Sequence, residues 1–153
     1  RTGCDLLNET VVRLSQVDNI VAIKDATGDI ERGKALIQAV PDGFAVFSGD
    51  DATALELMRC GGRGNVSVTA NIAAADMAAL CRCAVAQEWD NAEVIDARLA
   101  DLNRLLFIES NPIPIKWAMA QQGMIGPGIR LPLTPLSEAY REALSNALEA
   151  YFS

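Results

Sequence analysis

Apolar and polar positions alternate along the first half of the chain between short apolar runs and longer amphipathic stretches. Ile20 to Ile23, Phe44 to Phe47 and Asn65 to Val68 are the runs. Each is short, rich in β-branched or aromatic residues, and bounded by Gly, Asp, Asn or Ser, as expected of strands covered on both faces. Asp29 to Val40 repeats its apolar residues (Ile30, Leu36, Ile37, Val40) on a helical period and stops at Pro41-Asp42-Gly43. Asp51 to Cys60 does the same and ends in Gly61-Gly62. Ahead of the first run, Asn8 to Val17 predicts a short helix, with Asn8 as cap, Glu9 in the first turn, and Val11, Val12 and Leu14 as its apolar stripe. The order predicts parallel βαβ units whose helices cover the strands.

After Asn71 the period is helical throughout, over Ile72 to Gln87, Asp90 to Phe107, Pro112 to Gln122 and Pro135 to Tyr151. The turn from Gly123 to Pro132 precedes the last of these. The expected organisation is an α/β part over residues 1–88 and a helical domain over 89–153. Three strands are too few for a (β/α)8 barrel, which takes eight units and about 200 residues or more. They suit one edge of an open sheet, or part of a barrel. Polar groups gather at the carboxyl ends of all three runs: Lys24-Asp25, Ser48-Gly49-Asp50-Asp51, and Ser67-Thr69-Asn71. Both architectures build their sites at that end. The chain opens at Arg1-Thr2-Gly3 without a methionine, which reads as a start inside a loop and favours the incomplete barrel.

Composition narrows the chemistry. With 153 residues, half of them apolar, and a net charge of −7, the chain reads as globular. It lacks the Lys/Arg clusters that nucleic acid demands. No apolar run is long enough to span a bilayer, so no membrane partner is expected. Cys4, Cys60, Cys81 and Cys83 show no framework spacing, and Cys81 and Cys83 fall on different faces of a helix. Neither a metal site nor a cofactor is expected; free thiols in a reducing cytosol are. There is no histidine, so no Ser-His or Cys-His pair can form.

Acid–base and nucleophilic work then falls to lysine, tyrosine and carboxylates. Lys24, one of only three lysines, ends an apolar strand. Partial burial there would lower its pKa and supply the neutral amine that a Schiff-base nucleophile needs. Taken alone, a solvated strand-end cation is the plainer account. Asp25, Asp29, Asp50 and Asp51 read as first-turn carboxylates facing helix dipoles rather than as catalytic acids. Gly61-Gly62-Arg63-Gly64 precedes a strand, whereas a phosphate cradle precedes a helix. Lys116 and Trp117 read as packing and surface residues.

Several segments together carry a resemblance over the whole chain. Val21-x-Ile23-Lys24-Asp25-Ala26-Thr27-Gly28-Asp29 resembles the Schiff-base lysine motif of the dihydrodipicolinate synthase and N-acetylneuraminate lyase superfamily of class I aldolases. Arg1-Thr2-Gly3-Cys4-Asp5-Leu6, Ser48-Gly49-Asp50-Asp51 and Val66-Ser67-Val68-Thr69-Ala70-Asn71 are similar to the segments after its fifth, seventh and eighth strands. Asn111 to Trp117 and Arg130 to Leu133 resemble parts of its C-terminal helical domain.

The resemblance implies the C-terminal part of a TIM barrel, strands six to eight, followed by a helical domain. It implies pyruvate and L-aspartate 4-semialdehyde as substrates, 4-hydroxy-tetrahydrodipicolinate as product, a place in diaminopimelate and lysine biosynthesis, and a cytoplasmic homotetramer built as a dimer of dimers. Lys24 would condense with pyruvate, Arg1 would receive the semialdehyde carboxylate, and Gly49 and Val66 would line the pyruvate pocket. The family more often has isoleucine where Val66 stands. Its relay tyrosines and carboxylate-binding loop belong to a first half that this chain does not contain; Tyr140 and Tyr151 both lie in the last helix. The fragment by itself is therefore expected to be inactive. Two alternatives stay open: a related aldolase acting on N-acetylneuraminate or 2-keto-3-deoxy-gluconate, or a non-catalytic truncated product.

Overall fold

The computed structural model describes residues 4–153, so the expected role of Arg1 lies outside the described residues. The elements are α1 (Asn8–Leu14), β1 (Ala22–Asp25), α2 (Ile30–Ala39), β2 (Ala45–Ser48), α3 (Ala54–Arg59), α4 (Ala74–Val85), α5 (Trp89–Leu105), α6 (Ile113–Gln121) and α7 (Glu138–Phe152). Short 3₁₀ turns, Asp51–Thr53 and Thr69–Asn71, precede α3 and α4. The class is α/β, with helices and a two-stranded parallel sheet. β1 and β2 pair in the register Ala22 with Ala45 through Asp25 with Ser48.

Two expectations are corrected. The strands begin later than the apolar runs do, because the Ile20 amide donates to Val17 O at 2.9 Å and closes the turn after α1. The expected third strand, Asn65 to Val68, is only a bridge between Ser48 and Asn65. Val68 has helical dihedrals, and the segment turns away into the Thr69–Asn71 turn. Its amides are drawn to a buried carboxylate described below.

Sheet alternation divides two environments. Ile23 and Val46 point to the helices and join Val11, Leu36 and Leu57 in one core. Burying each such aliphatic side chain is worth roughly 1.5–3 kcal/mol. Ala22 and Lys24 stand on the other face and are exposed. A second, larger core runs from Leu55 through α4, α5 and α6 to Leu148 of α7, continuous across the expected 88/89 boundary. Trp117 packs against it, in keeping with a packing role.

Helix ends show how local chemistry sets the elements. Asn8 does not cap α1: Leu7 stands at the cap without a side-chain bond, and Asn8 Nδ2 donates instead to Arg32 O of α2 at 3.0 Å. α3 closes in a Schellman turn, with Gly62 N on Leu57 O and Gly61 N on Met58 O, both at 3.0 Å. Gly61 takes φ +111° there. The glycine cluster thus closes a helix and leads to the bridge at Asn65 rather than to a full strand.

Candidate active site

Lys24 is the next-to-last residue of β1 and lies opposite Phe47 in the ladder. Contrary to the expected partial burial, it is exposed. It forms no hydrogen bond or ion pair among the described residues. The physical reason is its face: the helices cover the Ile23 side of the sheet, and among the described residues no element covers the Lys24 side.

The loop that follows is stitched by its own side chains. Thr27 N donates to Asp25 Oδ1 at 2.9 Å, and Asp29 N donates to Thr27 Oγ1 at 3.3 Å. Asp29 Oδ1 then accepts from Arg32 N at 3.0 Å and caps α2. Gly28, at φ +70°, makes the turn between them. Lys24 thus leads into a loop with little freedom.

Gly49 stands directly beside Lys24. Its amide donates to Asp25 O at 2.7 Å and continues the ladder past β2. A Cβ on Gly49 would lie 2.4 Å from Lys24 Cε and 2.8 Å from the Ala26 Cβ. Only glycine lets the lysine stem lie where it does. Val66 is half exposed, and its amide donates to Ser48 O at 2.8 Å. The structure therefore brings Gly49 against Lys24 and ties Val66 to the residue before Gly49. A cleft of about 280 Å³ runs along the free side of β1, bordered by Leu6, Ile23, Lys24, Thr27 and Arg32. Its rim carries a two-pronged ion pair: Arg32 Nη1 and Nη2 each donate to an Asp5 carboxylate oxygen at 2.8 Å. The hydrogen bond and charge of Arg32 hold the Asp5 carboxyl below the usual range.

Of the other carboxylates, Asp50 caps the turn before α3 by accepting from Thr53 N at 3.2 Å and Thr53 Oγ1 at 2.7 Å. Asp51 is not a first-turn carboxylate of the expected kind. It is buried, and it accepts from Asn65, Val68 and Thr69. Adjacent aspartates followed by Asn65-x-Ser67-x-Thr69 are the sole trace of this in the sequence. Among the described residues no group of three or more His, Cys, Asp or Glu is placed to hold a metal, and no helix is long and apolar enough to cross a membrane. Burial raises the Cys81 thiol above its ordinary value, which makes it a poor nucleophile at neutral pH.

A lysine at the carboxyl end of one parallel strand stands against a glycine just past the end of the next, on part of an α/β scaffold. Residues 1–151 match the dihydrodipicolinate synthetase family, and the chain belongs to it. It is 58% identical over 150 residues to the 4-hydroxy-tetrahydrodipicolinate synthase of Marinobacter nauticus, covering 98% of this chain and 51% of that one. The enzyme of the same name from Stutzerimonas stutzeri is 53% identical over 148 residues, with 97% and 51% covered. Among solved structures, the chloride-inhibited dihydrodipicolinate synthase of Acinetobacter baumannii complexed with pyruvate superimposes with TM-score 0.96 at 56% identity, covering 99% of this chain and 52% of that one. The chain spans about half the length of the relatives it matches, consistent with a fragment of a TIM barrel.

Proposed function

We propose that the chain is the C-terminal part of a 4-hydroxy-tetrahydrodipicolinate synthase, supplying strands six to eight of a (β/α)8 barrel over residues 1–88 and the helical domain over 89–153. The contact of Gly49 with the Lys24 stem carries the reading, because bare backbone there makes room for the stem that carries the reacting amine. In the completed barrel, the wall opposite Lys24 removes water from the ammonium and makes the neutral amine accessible.

The Lys24 amine attacks the keto carbon of pyruvate, and water leaves to form the Schiff base. Loss of a methyl proton gives an enamine, whose carbon bonds to the aldehyde carbon of L-aspartate 4-semialdehyde. The semialdehyde's own amine then displaces Lys24 at the former keto carbon and closes the ring. Gly49 and Val66 border the pyruvate, and Arg1 receives the semialdehyde carboxylate. The relay groups come from the other half, so this chain alone is inactive, and units of this kind fail together. The homotetrameric, cytoplasmic assembly implied by the resemblance belongs to the same reading.

The test joins this chain to the remaining half of the Marinobacter nauticus relative. Pyruvate with borohydride is expected to leave a reduced adduct on the Lys24 peptide, and Lys24→Ala to abolish it. Adducts on Lys34 or Lys116 with Lys24 untouched would sink the assignment. The joined protein is also expected to consume aspartate semialdehyde far faster than N-acetylmannosamine, and Arg1→Ala to raise KM for the semialdehyde more than for pyruvate. The opposite preference would move the chain to the neuraminate lyase branch.

A further inference from the structure

Asp51 is 1% exposed, yet its carboxylate is fully engaged. Asn65 Nδ2 donates to Oδ1 at 2.7 Å, and the amides of Val68 and Thr69 both donate to Oδ2 at 2.9 Å. Its backbone carbonyl accepts from Asn103 Nδ2 of α5 at 3.3 Å. One residue thus ties the end of β2 to the 65–69 segment and to the helical part. Capping does not explain it, since Asp50 already caps the 3₁₀ turn.

The tied segment is the one beside the site. Apart from the bridge at Asn65, residues 65–68 have no strand ladder, so the carboxylate takes over the amides a neighbouring strand would have paired. Held in this way, Val66 N reaches Ser48 O, and Ser48 N reaches Gly64 O at 2.9 Å. Ser48 is joined directly to Gly49, which lies against Lys24. We propose that Asp51 is a positioning residue for the Lys24 site. Its carboxylate sets the 65–69 segment against Ser48-Gly49 and so fixes the wall that receives the small keto acid. The proposal rests on the reading of Lys24 given above.

Asn65 provides the test, because its Oδ1 is buried without a partner while its Nδ2 faces Asp51. In the joined protein, Asn65→Asp sets two carboxylates against each other. Asp51→Asn sets a donor against the Asn65 donor and takes the charge from the acceptor of the Val68 and Thr69 amides, a loss that turning the Asn65 amide does not restore. The pair D51N/N65D exchanges donor and acceptor and rebuilds the bond. Each single variant is expected to raise KM for pyruvate by about tenfold, the scale of losing one hydrogen bond to a charge, with kcat within about threefold. The pair is expected to return KM to within about threefold of the unsubstituted protein. Hydrogen exchange at the Val68 and Thr69 amides should quicken in the singles and slow again in the pair.

A fall in melting temperature with KM unmoved would make Asp51 merely structural and overturn the proposal, as would a pair that regains amide protection but not KM. If the unsubstituted protein forms no adduct at Lys24, the reading of the site fails first and this proposal with it. An intact adduct with KM indifferent to Asp51 defeats this proposal alone.

Discussion

At Gly49 a single hydrogen atom decides whether Lys24 can lie in its observed place. Because a Cβ would stand 2.4 Å from Lys24 Cε and 2.8 Å from Ala26, Gly49→Ala has to push the lysine stem aside. Its φ lies outside the left-handed region, so the substitution adds no backbone strain there. In the joined protein, borohydride trapping at Lys24 is expected to fall by about tenfold or more, since reacting atoms tolerate little displacement. Circular dichroism should be unchanged. Equal trapping would show that Gly49 does not shape the site. Asp5 and Arg32 make a second residue-scale case. The Asp5 pKa is lowered in the fold by Arg32, so the pair's contribution is complete above the ordinary value of 3.8 and disappears as pH falls through the lower folded value. The melting-temperature gap between the unsubstituted protein and Asp5→Asn should be level from neutral pH down to about 5 and close below 3.8. A gap that does not narrow at all as pH falls below 3.8 would contradict it. Lys24 was legible as the candidate nucleophile because one basic residue ends an apolar run, whereas Asp51 was not. An aspartate's place in the chain does not tell whether its carboxylate meets water or three distant donors.

Among the elements, the helices were the most legible, because a 3.6-residue period persists over several turns and survives errors at either end. The third strand was not legible. An apolar run of four residues states a preference, but a strand exists only where another strand accepts its ladder, and here Asp51 claims the amides of Val68 and Thr69. The helical part has its own tie. Tyr151 of α7 donates to Asp76 Oδ2 of α4 at 3.0 Å, and Arg98 of α5 pairs with Asp76 at 3.2 Å and stands 5.0 Å above the Tyr151 ring. Three helices meet in that contact. Tyr151→Phe is expected to lower stability by about 1 kcal/mol at neutral pH, the usual net value of one hydrogen bond. Burial, then the bond to Asp76, raises the Tyr151 pKa above 10.0. The stabilising difference is therefore whole below pH 10.0 and is lost as pH rises through the higher folded value. Denaturant melts of both proteins should diverge at pH 7 and converge in strong alkali. A Tyr151→Phe protein as stable as its parent at pH 7 would count against the tie.

For the whole molecule, the decisive surface is the side of the sheet that the described residues leave uncovered. β1 pairs with β2 on one side only among the described residues, and Val21 just before it and Leu6 across the cleft are 65% and 45% exposed. An unpaired edge flanked by apolar side chains is a template for association. Against a net domain stability of about 5–15 kcal/mol, each aliphatic side chain left in water forgoes about 1.5–3 kcal/mol. The chain expressed alone is expected to associate or bind a dye for apolar surface, and to show no synthase turnover. Supplying the relative's remaining half should suppress dye binding. A monodisperse chain that turns over pyruvate and aspartate semialdehyde by itself would refute this. Sequence alone determined the alternation of strands and helices, the glycine turns and the position of Lys24, because period, cap and turn chemistry act over a few neighbouring residues. Only the tertiary structure decided that Asn65 to Val68 is a clamped segment, that Lys24 faces away from the helices, and that Gly49 touches it. Those outcomes depend on which distant groups compete for the same amides and the same space, and no local pattern records that competition.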